Sequence, residues 1–222
     1  MVNYVQPKVR FKCTMCGECC RRYWITLTID DLLAIYANAK LKPSAISALY
    51  DASIAGDWDS PKIRIGDRWY YLVLRKRIDG SCIFNEWRNG KLICAIHSFK
   101  PLVCRFYPFI YMWDGDVVKF EVYPAAVGYC PGLGKGPVVD LAMEAKYALM
   151  SREAKARFRA FADSWNRIVK GLGAALGIMD FLTILDCVVL RLSGESPECP
   201  YASIVDELIR AYTSAGMRAL GH

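Results

Sequence analysis

The chain has 222 residues, 54% of them hydrophobic, and a formal net charge of +7. That length buries a core without cross-links, and the apolar share excludes an intrinsically disordered chain. Ten cysteines are therefore surplus to folding, which separates this sequence from small, disulfide-stapled secreted scaffolds.

Residues 1–8 lack the apolar stretch of a signal peptide, so a cytoplasmic, reducing setting is expected. Four cysteines then fall within eight positions: Cys13, Cys16, Cys19 and Cys20. Residues 25–29 read as extended, and Thr28 or Asp30 caps a helix carrying Leu32, Leu33, Ile35 and Tyr36. A short helix follows Pro43-Ser44, and residues 56–61 read as loop. Residues 62–65 and 69–74 form a hairpin about Gly66-Asp67. A second hairpin is expected between residues 81–84 and 91–96, turning at Asn89-Gly90. It would bring Cys82 near Cys94 although eleven residues intervene. Five prolines, Pro101, Pro108, Pro124, Pro131 and Pro137, mark a loop-rich region holding Cys104 and Cys130.

The character changes near Gly136-Pro137. An amphipathic helix is expected over residues 139–169, an apolar one over 178–192 and a third over 201–220. Asp180 and Asp186 interrupt the longest apolar stretch, residues 172–190, which reads as a buried helix and not a membrane span. The expected fold is α+β: a cysteine-rich metal-binding domain with short β-hairpins over residues 1–136, and a mainly helical C-terminal region over 137–222 packed on it.

Two residues between Cys13 and Cys16 let both sulfurs face one ion, and Gly17 lets backbone amides turn toward sulfur. Cys16 and Cys19 repeat the spacing, which gives the three-thiolate rhythm of a bacterial ferredoxin. Cys20 departs from it. Adjacent side chains generally diverge, so Cys19 and Cys20 are expected to serve different centres. With Cys82, Cys94, Cys104 and Cys130 the set reaches eight thiolates, enough for two four-coordinate centres or one cluster with spare ligands. Cys187 reads as core packing in an apolar helix, and Cys199 as a loop cysteine with no evident partner. His97, three residues after Cys94, reads as structural. Gln6 is the sole glutamine and Lys and Arg are plentiful, a thermophile-like balance. Hyperthermophiles keep some intracellular disulfides, so pairing of some thiols stays open.

The run Phe11-Lys12-Cys13-x-x-Cys16-Gly17-x-Cys19-Cys20 resembles the signature of the CxxCxxCC zinc- or iron-chelating family, the YkgJ-type cysteine cluster proteins. The resemblance continues through Gly80-x-Cys82-x-Phe84, Gly90-x-x-x-Cys94-x-Ile96 and Lys100-Pro101-x-x-Cys104-Arg105-x-x-Pro108. It closes at Cys130-Pro131-Gly132 and covers about residues 9–136. Lys100 stands where the family usually has arginine, and Tyr107 is an extra residue; neither removes a thiolate. The resemblance implies a metal or iron–sulfur site, and one branch of the family, the flagellin lysine methylases, couples such a domain to S-adenosylmethionine.

Three functions compete at this level. The first is an iron–sulfur protein, preferred over a zinc protein, in electron transfer or redox sensing with a redox partner. The second is a methylase-like enzyme, for which Gly132-Leu133-Gly134-Lys135-Gly136 and Gly171-Leu172-Gly173 lack the strand–turn–helix setting of a nucleotide cradle. No catalytic or organic-cofactor residue is assigned. The third is a module that binds RNA or a ribonucleoprotein through residues 62–105, which carry ten Lys or Arg among aromatics such as Trp69, Trp87 and Phe99. The same charge would also suit a solvated surface offsetting metal-bound thiolates. No membrane contact is expected, and the tail helices could form a homodimer surface.

Overall fold

The computed structural model describes residues 2–172 and 176–219, so Gly173 and Leu220, each at the end of a sequence reading, lie outside the described residues. Strands β1 (Asn3–Val5) and β2 (Arg10–Phe11) precede helices α1 (Glu18–Arg22), α2 (Ile29–Ala39) and α3 (Pro43–Ile46). Strand β3 (Ser47–Asp51) and helix α4 (Ala52–Ala55) lead into strands β4 (Lys62–Ile65) and β5 (Arg68–Leu74). Next come β6 (Asn85–Arg88), β7 (Lys91–Cys94), β8 (Phe109–Asp114), β9 (Val117–Val122) and β10 (Leu133–Val138). Helices α5 (Ala142–Leu172), α6 (Ile178–Leu192) and α7 (Ala202–Ala219) complete an α+β fold. Two compact units interleave along the chain: Met1–Ile25 with Lys76–Arg152, and Thr26–Arg75 with Glu153–His222.

The first unit holds all eight cysteines of the expected metal set. Its three-stranded sheet has the order β1-β9-β8, with β1 parallel to β9 and β8 antiparallel to it. Along β9, Val118 and Phe120 point into the core while Lys119 and Glu121 face water, the period of two of a half-buried strand. Phe106, Phe109, Leu141, Ala145 and Ala148 join them in one apolar cluster. The region read as loop thus contains three strands: Pro101 and Pro108 precede them, Pro124 and Pro131 lie between β9 and β10, and Pro137 lies within β10. Gln6 is anchored at both ends of its amide, donating to the Val139 carbonyl at 2.8 Å and accepting from the Leu141 amide at 2.8 Å.

In the second unit the β4–β5 hairpin forms as expected, and β3 adds to it in the order β3-β5-β4. Thr28 caps α2: its hydroxyl accepts from the Asp31 amide while the Asp31 carboxylate accepts from the Thr28 amide at 2.8 Å. Trp165, fully buried, donates its indole N–H to the Arg64 carbonyl at 2.8 Å, and Asn166 pairs with both Arg64 and Lys62 of β4. These bonds satisfy backbone groups of an edge strand that would otherwise be left open. The two acids of α6 have local duties. Asp180 accepts from the Gly177 amide (2.7 Å) and from Tyr201 (2.6 Å), and Asp186 accepts from both the amide and hydroxyl of Ser44. Among the described residues no helix is long and apolar enough to cross a membrane.

Cys199, expected to have no partner, has one. Cys187 is buried in α6, as expected, but it is not a free thiol: it is bonded to Cys199, with the two Cα atoms 6.1 Å apart. The segment between α6 and α7 folds back to place Cys199 beside the helix, a path that no local spacing announces.

Candidate metal centre

The cysteine run is held from two sides. Upstream, β2 pairs with β10, and the Lys12 amide donates to the Gly132 carbonyl at 3.2 Å, which sets Cys13 beside the Cys130-Pro131-Gly132 segment. Downstream, the Leu92 amide donates to the Met15 carbonyl at 3.2 Å and ties the run to the β6–β7 hairpin. Between these anchors the backbone bends sharply, with positive φ at Met15 (54°) and Gly17 (76°). Gly17 also lies against Leu92, where a Cβ would come within 1.9 Å of a methyl carbon. Helix α1 then carries Cys19 and Cys20.

The later cysteines come from turns and a strand end. Cys94 closes β7 opposite Asn85, while Cys82 precedes β6 and forms an isolated bridge with Lys76. The expected arm at residues 81–84 is therefore not the paired strand; that strand is β6. Arg77 holds residues 81–84 as a turn by donating to the carbonyls of Ile83 and Asn85, and the Asn85 side chain accepts from the Cys82 amide at 3.1 Å. Cys104 lies in the one-turn 3₁₀ helix Leu102–Arg105. His97 is exposed, and Lys100 beside it depresses its pKa.

All eight thiols are unpaired by disulfides. Cys13 and Cys16 are exposed, Cys82 is buried and the rest are half-buried. Their electrostatics divide them. The Cys19 and Cys20 sulfurs lie 4.0 Å apart and share a hydrogen bond, which raises the Cys19 pKa and lowers that of Cys20. Beyond that pair, Cys19 feels Cys104 and Cys13. Cys20 is further favoured as a thiolate by the Asn85 side chain, Lys100 and Lys76. Burial pushes Cys82 up to about 11, and Cys20 and Cys94 add to it; burial likewise raises Cys94, which feels Cys20. Tyr107 is raised by burial and then by Cys130, with weaker contributions from Cys19 and Cys16. Cys82 and Cys94 thus neighbour Cys20, Cys13 and Cys104 neighbour Cys19, and the two neighbourhoods meet at the Cys19–Cys20 pair, whose mutual influence is the largest.

The donor chemistry fits a soft metal. Two buried donors beside these cysteines have no hydrogen-bond partner, the Thr14 hydroxyl between Cys13 and Cys16 and the Arg105 Nε next to Cys104. Metal-bound sulfur accepts hydrogen bonds of this kind. Among the described residues no three His, Cys, Asp or Glu side chains already surround a common point as metal ligands do.

Glycine at 132 is a geometric requirement of this arrangement. A Cβ there would lie 2.4 Å from the Lys12 carbonyl oxygen and 3.0 Å from the Phe11 ring. Gly132→Ala is expected to push β2 off β10, cost about 1–3 kcal/mol and lower metal content. Thermal unfolding and elemental analysis check both effects. The remaining glycines of the 132–136 run lie in β10, and Gly136 also packs on Lys12.

No solved structure matches the chain. An uncharacterised protein of Methanocaldococcus jannaschii is 26% identical over 136 residues, a stretch that spans 60% of this chain and 64% of that protein. A model of the CxxCxxCC family, described as "Putative zinc- or iron-chelating domain", matches residues 12–131. The matched segment runs from the residue before Cys13 to the residue after Cys130 and so spans all eight free thiols; the chain belongs to the CxxCxxCC family.

Proposed function

We propose that this protein binds iron as an iron–sulfur centre through Cys13, Cys16, Cys19, Cys20, Cys82, Cys94, Cys104 and Cys130, and that it exchanges electrons or senses redox state. The observation carrying this reading is that eight free thiols lie together in one unit while the two remaining cysteines are bonded to each other in the other. An all-sulfur donor set with the Cys13-x-x-Cys16-x-x-Cys19 rhythm favours iron–sulfur over zinc. Such a centre supplies one-electron chemistry when bound. Cys13 and Cys16 are exposed, so a centre that they hold would exchange electrons with a partner over a short distance. Lys76 and Lys100 offset thiolate charge around Cys20, which would help to keep its sulfur ionised for a metal.

Anaerobic purification, iron and sulfide analysis and an absorption spectrum test the reading. Iron with acid-labile sulfide and broad visible absorption that bleaches on reduction is the expected result. A colourless protein with stoichiometric zinc overturns the iron–sulfur assignment and leaves a structural zinc domain.

A further inference from the structure

The charge of this protein is not shared evenly. The cysteine unit carries fifteen Lys or Arg against eight Asp or Glu, whereas the other unit carries fourteen of each. The whole net charge of +7 therefore belongs to the cysteine unit. The basic stretch over residues 62–105 is split accordingly, its first part lying in the neutral unit.

Within the cysteine unit, α1 presents consecutive arginines to two exposed rings. The Arg21 guanidinium sits 5.9 Å from the centroid of Trp87, and Arg22 sits 3.8 Å from that of Tyr129. Trp87 is 64% exposed and Tyr129 54%, so ring surface stays open to solvent beside each cation. Trp87 pairs across its hairpin with Leu92, which is tied to Met15 of the cysteine run. The surface around α1 thus sets each exposed ring beside an arginine.

We infer that this surface is a stacking platform for single-stranded nucleic acid, with Trp87 and Tyr129 receiving bases and Arg21 and Arg22 the adjoining phosphates. Cations beside open aromatic faces are the combination that single strands use, since every base has a face to stack and every linkage a charge. Metal-bound thiolates offset part of the unit's charge, but that offset does not call for guanidiniums on exposed rings. An acidic polypeptide would meet the arginines by charge, which is why competition by polyglutamate is one arm of the test. A duplex would keep its bases hidden. The inference does not depend on which metal the cysteines hold.

The test is fluorescence anisotropy of a labelled oligouridine of about 15 nucleotides against the full-length, metal-loaded protein over a salt series. Binding should weaken steeply with salt, and Arg21→Ala and Arg22→Ala should each reduce the logarithmic salt slope by about 0.7. At fixed salt, Trp87→Ala and Tyr129→Ala should each weaken binding about 5- to 150-fold, while Trp87→Phe and Tyr129→Phe should keep most of it. Metal content is measured on every variant, so loss of the centre and loss of the platform are told apart. No binding at low salt overturns the inference. So does binding that survives both ring truncations, which would be charge alone. Equal competition by polyglutamate overturns it in favour of an acidic protein partner.

Discussion

Serine in place of Cys82 is expected to remove part of the bound metal and leave the rest, with Cys94→Ser removing the same part. Cys104→Ser and Cys13→Ser should remove the complementary part. The expectation follows from the two neighbourhoods of thiols: Cys82 and Cys94 are each influenced by Cys20, whereas Cys19 is influenced by Cys104 and Cys13. A four-ligand structural zinc site is worth about 10–16 kcal/mol, which makes each thiolate worth roughly 2.5–4 kcal/mol and its loss enough to empty a centre under dialysis. Elemental analysis of the four variants is the measurement. Complete loss of metal from every single variant would instead mean one polynuclear cluster using both neighbourhoods. Cys20→Ser is the informative fifth case, because its sulfur lies 4.0 Å from that of Cys19 and borders both groups.

What the sequence disclosed follows from the range of the interactions involved. Helix α6 coincides with the expected residues 178–192 because its apolar periodicity and flanking Gly177 and Ser193 are local signals. The β4–β5 hairpin and the Asn89-Gly90 turn were legible for the same reason, both Asn89 and Gly90 having positive φ. The arm at residues 81–84 was misplaced because Arg77, four to seven residues upstream, bonds the carbonyls that a strand would have used. The prolines around β8 and β9 give that region the composition of a loop, although the alternation Val118-Lys119-Phe120-Glu121 is itself a strand signal. The density of cysteines before residue 131 marks eight of them as a set, and none of the eight is in a disulfide. Adjacency predicts that the Cys19 and Cys20 side chains diverge, but their sulfurs lie 4.0 Å apart on the short helix α1, and which later cysteine neighbours which depends on the turns at Cys82 and Cys104. The interleaving of the two units, with the chain leaving the cysteine unit after Ile25 and re-entering at Lys76, has no local signature.

The Cys187–Cys199 bond was the least legible feature and gives the second large expectation. Reducing it, or replacing Cys199 by serine, should destabilise the helical unit by about 3 kcal/mol, the loop-closure entropy of a ring of roughly a dozen residues. Cys199→Ser is the cleaner variant, since Cys187 is buried against the core and its replacement would also perturb packing. The pair Arg191–Asp206 and the bond from Tyr201 to Asp180 still join the same segments, so the unit should fold without the disulfide, at a lower unfolding midpoint. Denaturant titration with and without a thiol reductant under anaerobic conditions measures the difference. The cysteine unit should answer in the opposite sense, because its thiols bind metal only when reduced and lose it on oxidation. A reductant that lowers the midpoint of one transition while preserving metal content would therefore separate a sulfur pair used as a staple from eight sulfurs held for a metal. An unchanged midpoint for Cys199→Ser would mean that the bond contributes nothing beyond the contacts already closing that loop.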